Sequence, residues 1–183
     1  MGNIADFVIN EDGALVEYIG TESEVIIPDS VKCVGIGNSV FSSENVKSVI
    51  IPKSVKSICG CAFAGCETLE SITIPNSVKT IGIGAFKGTN ITSISIPDSV
   101  KAIEGVTFEQ CKALKEITIG KSVKKIGIRA FYGCFALENI NFNGTVEQFL
   151  RISKADSWYS RTGDWVIHCT DGHITKLLDI VYY

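Results

Sequence analysis

The hexapeptide Ile-Pro-x-Ser-Val-Lys occurs four times, at 27–32, 51–56, 74–79 and 96–101, and a fifth copy at 119–124 carries Gly120 in place of proline. Along that proline column the steps are 24, 23, 22 and 23 residues. A second column agrees: Phe41, Phe63, Phe86, Phe108 and Phe131 follow one another at 22, 23, 22 and 23. A period in this range specifies a solenoid of stacked units, not a compact enzyme built around one cleft. Overlaid units form apolar columns, such as Val46, Leu69, Ile91, Leu114, Leu137 and Val49, Ile72, Ile94, Ile117, Ile140. No unit can bury such side chains alone, whereas stacking buries them all in one core.

Within a unit, Ile-x-Ile alternates apolar and polar, the period of a half-buried strand, and its β-branched residues suit a pleated surface. The following proline cannot donate to a ladder and ends that strand at a corner. Val-Lys-x-Ile reads as a second short strand, and Ala-Phe-x-Gly as a tight or 3₁₀ turn. Gly65, Gly88 and Gly133 suit a positive φ; Gln110 in the same column argues that this requirement is not absolute.

The unit Leu-x-x-Ile-x-Ile-Pro-x-Ser-Val-x-x-Ile-Gly-x-x-Ala-Phe-x-Gly-Cys resembles the BspA-like (treponemal-type) leucine-rich repeat, over roughly residues 23–144. The expected fold is a mainly β solenoid: a right-handed leucine-rich-repeat stack of about six rungs of 22–24 residues, with 3₁₀ or turn segments. It is expected to form one domain over 1–183, with an N-terminal hairpin cap (1–22), repeats (23–144) and a C-terminal helix-plus-hairpin cap (145–183). In front, 6–9 and 14–19 flank the turn Asn10-Glu11-Asp12-Gly13. Behind, Thr145 and Gln148 fit a capping box, and Val146, Phe149 and Ile152 follow at helical spacing. The stretches 165–169 and 173–177 around Asp171-Gly172 predict a terminal hairpin, and 178–183 a last strand.

Seven cysteines do not decide the compartment. Cys66, Cys111 and Cys134 occupy one column, where parallel stacking holds Cβ atoms about 4.8 Å apart, wider than a disulfide prefers. Free, buried thiols are expected throughout. No metal site is expected, because Cys59-x-Cys61 lacks zinc-knuckle spacing and His168-Cys169 lies rungs away from Cys66. The only histidines, His168 and His173, fall in the terminal hairpin; a Cys169–His173–Asp171 hydrolase can be written down, but no nucleophile elbow, Walker loop or dinucleotide fingerprint accompanies it. The chain is therefore read as non-enzymatic and free of cofactors.

Two surface columns remain as candidate binding faces. The outward positions of the first strand give Ser48, Ser71, Ser93, Glu116, Asn139 and, two residues on, Ile50, Thr73, Ser95, Thr118, Asn141. In leucine-rich-repeat architectures this sheet lines the concave face, here polar and nearly uncharged. The alternative is the lysine stripe Lys32, Lys56, Lys79, Lys101, Lys124, suited to acidic proteins or glycans, although such a stripe also serves simply to keep an exposed face solvated. The net charge of −3 and the lack of aromatics between the lysines argue against nucleic acid. No apolar run reaches membrane-spanning length, and a monomer is expected.

The resemblance implies a bacterial or protist cell-surface or secreted protein that binds a protein or glycan in adhesion. The first ten residues hold no basic residue and no apolar h-region. Either the protein is a cytoplasmic scaffold, or the sequence starts downstream of an export signal; the resemblance favours the second.

Overall fold

The computed structural model describes residues 4–35, 40–41, 45–175 and 181–182. After a 3₁₀ turn (Ile4–Asp6), β1 (Phe7–Ile9) and β2 (Ala14–Tyr18) form an antiparallel hairpin. Six rungs follow, each with a main strand and a two-residue second strand. They are β3 (Glu24–Ile26) with β4 (Cys33–Val34), β5 (Ser48–Ile50) with β6 (Ser57–Ile58), and β7 (Ser71–Thr73) with β8 (Thr80–Ile81). Then come β9 (Ser93–Ile96) with β10 (Ala102–Ile103), β11 (Glu116–Ile119) with β12 (Lys125–Ile126), and β13 (Asn139–Phe142) with β14 (Ser153–Lys154). The chain closes with β15 (Val166–Cys169), β16 (Gly172–Thr175) and β17 (Val181–Tyr182). Residues 176–177 of the expected hairpin, and 178–180 and 183 of the tail, lie outside the described residues.

Main strands pair in parallel as β3-β5-β7 and as β9-β11-β13-β15, with the antiparallel β16 and β17 added at the end. Second strands pair as β2-β4-β6-β8 and as β10-β12-β14. Both lines therefore break at one place, between the third and fourth rungs. In the last rung the proline corner is replaced by α1 (Val146–Leu150), whose N-terminus carries the expected capping box: Thr145 Oγ1 accepts from Gln148 N and Gln148 Oε1 accepts from Thr145 N.

One core cluster runs from Phe7 to Ile174. Its spine is the phenylalanine column, fully buried and stacked at centroid spacings of 5.0, 5.5, 5.6 and 5.4 Å from Phe41 to Phe131. The caps extend this spine: Tyr18 packs on Phe41 in front, and Trp158 sits edge-on to Phe131 behind. Stacked rungs would otherwise leave a ring face open to water at each end. The Ala-Phe-x-Gly segments are hydrogen-bonded turns; among the described residues the 3₁₀ conformation is confined to Ile4–Asp6.

The turn corner corrects one expectation. Gln110 adopts φ +62°, matching Gly65, Gly88 and Gly133, so four successive rungs hold the left-handed conformation even where glycine is absent. Its amide is held by Tyr132 O at 2.7 Å, and its side chain covers the space beside Gly133.

Candidate binding faces

Register in the main sheet follows from burial. Ile72, Ile94, Ile117 and Ile140 point inward, so their neighbours on either side point outward. The candidate face is thus assembled as strips across rungs: Ser48↔Ser71 and Ile50↔Thr73 in the first half, Ser93↔Glu116↔Asn139 and Ser95↔Thr118↔Asn141 in the second. Ser71, Thr73, Ser93, Ser95, Glu116 and Thr118 surround one shallow recess, centred where β7 and β9 fail to pair. Ser48, Asn139 and Asn141 lie on the same face outside it.

The face is graded along its length. At the N-terminal end Ile26 and Ile50 project 47 % and 49 % exposed, beside Ile4, Pro28 and Pro52. At the other end β15 joins β13, placing His168 opposite Asn141 in register, and His168 Nε2 contacts Asn139 Oδ1 at 3.0 Å. Asn141 Nδ2 donates to Glu116 Oε1, so the acid's position is held across a rung. Sequence columns contained Ile50 as the one apolar residue among hydroxyls, the available signal for the apolar end. His168 was assigned to the hairpin, and nothing in its spacing says that the hairpin extends the main sheet.

Lys32, Lys56, Lys79, Lys101 and Lys124 are all exposed and form the expected stripe beside the second strands. Backbone bonds from Lys56 N to Lys32 O (2.9 Å), Lys79 N to Lys56 O (2.8 Å) and Lys124 N to Lys101 O (2.8 Å) keep it in line. Among the described residues none of the five enters an ion pair; Lys125, one position on, pairs with Glu104 at 3.0 Å.

All seven cysteines are free, but only Cys66, Cys111 and Cys134 are buried; Cys33, Cys59, Cys61 and Cys169 are half-exposed, which corrects the expectation of uniformly buried thiols. The buried three donate to the phenylalanine carbonyl of the preceding rung: Cys66 to Phe41 O (2.6 Å), Cys111 to Phe86 O (3.0 Å) and Cys134 to Phe108 O (3.1 Å). Burial pushes the thiols of Cys66 and Cys111 up to about 12 and about 11, and Cys134 further upward. They are held as thiols, poor nucleophiles and poor metal ligands.

Asp171 of the terminal trio is engaged elsewhere. Asp171 Oδ1 accepts from Val146 N at 2.8 Å, fixing the start of α1. The Cys169 thiol is pushed up to about 11, by burial first and by Asp171 second. Trp158, in the C-terminal cap, is core: it packs on Phe131, Tyr159 and Trp165.

The profile of the BspA type leucine-rich repeat region matches residues 34–154, in six copies. The chain belongs to that family. Among solved structures it is similar to a leucine-rich cell surface protein of Faecalibacterium prausnitzii A2-165 (21 % identity, TM-score 0.54, covering 96 % of this chain and 55 % of that one). It is also similar to a leucine-rich repeat protein of T. pallidum (21 %, 0.57, 79 % and 86 %) and to one of Eubacterium ventriosum (22 %, 0.67, 88 % and 46 %). At these identities the likeness is one of fold. This BspA-type chain spans about half the length of the first and third of them. No curated protein matches it. Membership of the family implies a protein-interaction role, and among the described residues no helix is long and apolar enough to cross a membrane.

Proposed function

We propose that this chain is a non-catalytic interaction module of the cell surface or secreted space, holding a protein or glycan ligand along its main-sheet face. The observation that carries this reading is the recess where β7 and β9 separate. There Ser71, Thr73, Ser93, Ser95 and Thr118 offer hydroxyls, Glu116 offers a charge, and the unpaired strand edges add backbone donors and acceptors. Ile26 and Ile50 supply an apolar anchor at one end of the same face. A polar face without aromatic anchors binds weakly per site, so affinity would come from several copies acting together. The F. prausnitzii relative is a cell surface protein, which supports the location. The lysine stripe is the rival face.

Binding to a panel of purified extracellular-matrix proteins and acidic glycans separates the two. With Ser71, Ser93 and Thr118 changed together to Tyr, binding should fall at least tenfold, because bulk across three rungs prevents close approach. With Lys56, Lys79 and Lys101 changed to Gln, it should persist, with little dependence on salt. Loss with the lysine change, a steep fall with salt and indifference to the tyrosine change would move the site to the stripe, since exposed charges are screened beyond about 8–10 Å at physiological ionic strength.

A further inference from the structure

Cys33 and Cys59 stand apart from the other five thiols. Cys33 opens its strand opposite Ser57, and Cys59 lies two residues further along the same outward side, where its amide donates to Val34 O at 2.8 Å. This is a diagonal relation between adjacent rungs, unlike the in-register stacking of the buried column, and the two side chains lean towards each other. Their Sγ atoms lie 2.9 Å apart. Each residue is half-exposed, so a small reagent can reach the pair. A disulfide needs about 2.05 Å between sulfurs, so the pair must close by about 0.9 Å. Because the relation is diagonal, closure draws the two strand ends together as well as turning the side chains.

We propose that Cys33 and Cys59 are a redox site, closed to an intramolecular disulfide by a low-molecular-weight disulfide, that staples the first rung to the second. One cysteine thiolate attacks the external disulfide, forming a mixed disulfide and expelling one thiolate. The second cysteine then attacks the protein sulfur of that mixed disulfide, forming the Cys33–Cys59 bond and expelling the other thiolate. The protein gives up two electrons and two protons, and the external disulfide becomes two thiols. Burial first, and the Cys33 contact second, push the Cys59 thiol up to about 12, so closure is slow at neutral pH and quickens as pH rises. The bridge restrains the unfolded chain between the two rungs that carry the N-terminal end of the main face.

The test incubates the full chain with oxidised glutathione, alkylates it after denaturation and maps its tryptic peptides. Two of the seven thiols should become protected, with residues 33–47 linked to residues 57–79. The link should survive Cys61→Ser, form no more in Cys33→Ser or Cys59→Ser, and be reversed by dithiothreitol. Oxidation should raise the melting temperature by about 5–10 °C. Seven alkylated thiols, a glutathione adduct that persists on Cys33 or Cys59, or a link that survives Cys59→Ser would overturn the site. A bridge that leaves the melting temperature unchanged would overturn the staple.

Discussion

Between the fourth and fifth rungs the stack is tied on every side. β9 pairs with β11 over four residues, β10 pairs with β12, and Lys124 N and Gly127 N reach Lys101 O and Ile103 O at 2.8 Å each. Between the third and fourth rungs neither strand line pairs; what remains is a bond from Thr92 N to Glu70 O (3.2 Å) beside the main strands and one from Ser99 Oγ to Val78 O beside the second strands. The turn side holds: Gly84, Phe86 and Gly88 donate to Gly105 O, Thr107 O and Glu109 O, and Lys87 pairs with the buried Glu109 at 2.7 Å. Ile72 and Ile94 beside the gap are 8 % and 5 % exposed, against 0 % for Ile117 and Ile140. This seam is a book open on two edges and bound along its spine. In the column that follows the second strand, Gly82 and Gly127 press close to the backbone of the previous rung, Gly60 N and Gly105 N. The fourth rung places Glu104 there and its amide makes no bond to Ile81 O, whereas Cys59 carries a Cβ in the same column and still bonds to Val34 O at 2.8 Å, so a Cβ at this position does not by itself open a seam.

The largest effect should come from cutting the bound edge. Phe86 stacks 5.5 Å from Phe63 and 5.6 Å from Phe108, so its ring is the main apolar tie across the seam. Phe86→Ala should cost about 3–5 kcal/mol. It should also split unfolding, since rungs couple only to their neighbours. Both tryptophans, Trp158 and Trp165, lie in the second half, so fluorescence reports that half while circular dichroism reports the whole. The two denaturation curves should separate in Phe86→Ala and coincide in Phe131→Ala. Coincident curves in both would mean that the seam does not weaken coupling.

Alkali sharpens the comparison by acting on the thiol column, which Thr89 interrupts at the seam. Cys66 lies in the first half, Cys111 and Cys134 in the second. An unfolded cysteine ionises near 8.5, whereas Cys66 and Cys111 hold their protons to about 12 and about 11. Above the unfolded value the unfolded chain binds fewer protons than the folded one, so stability is full below about pH 8.5 and falls as pH rises. The loss should reach about 1–2 kcal/mol per buried thiol by pH 10. With Cys111, Cys134 and the half-exposed Cys169 against Cys66 and the half-exposed Cys59, the second half should weaken first, seen as tryptophan fluorescence shifting before circular dichroism. Cys111→Ala with Cys134→Ala should remove that order; if the slope is unchanged, the thiols are not the titrating groups.

The solenoid was legible because each rung repeats the same demands: the phenylalanine column, the proline corner and the capping box of Thr145 all stand where periodicity and side-chain chemistry put them. The second left-handed corner was not legible. Cys61, Gly84, Val106 and Arg129 all have φ between +52° and +65°, and only one of the four is glycine. Neighbouring rungs impose that conformation through bonds such as Cys61 N to Ile83 O and Val106 N to Ile128 O, so composition does not betray it. The seam was half legible. The fourth rung departs from the pattern at Glu104, Thr107 and Gln110, but Cys59 fills the Glu104 column in the second rung without opening a seam, so the departure alone does not foretell one. Of the candidate site, the hydroxyl strips were read from the columns. The contact between Cys33 and Cys59 was not, because they lie in different columns of a repeat compared only column by column.

The smallest effect tests the cause of the seam. Among the described residues Lys101 N bonds to no backbone oxygen on the rung before it, whereas Lys124 N, one rung later in the same column, bonds to Lys101 O at 2.8 Å. Hydrogen exchange at Lys101 should therefore be at least tenfold faster than at Lys124, a difference of about 1.4 kcal/mol in local opening. Glu104→Gly removes the Cβ that faces the third rung in this column. It also removes the exposed Lys125 pair, worth about 0–1 kcal/mol, and adds the entropy cost of glycine, so global stability should change little. What should change is the ratio: Lys101 exchange slows towards that of Lys124 as β8 and β10 close into register. Glu104→Ala keeps a Cβ while losing the carboxylate, and should leave Lys101 fast. If alanine slows exchange as glycine does, charge and not backbone approach keeps the two halves apart.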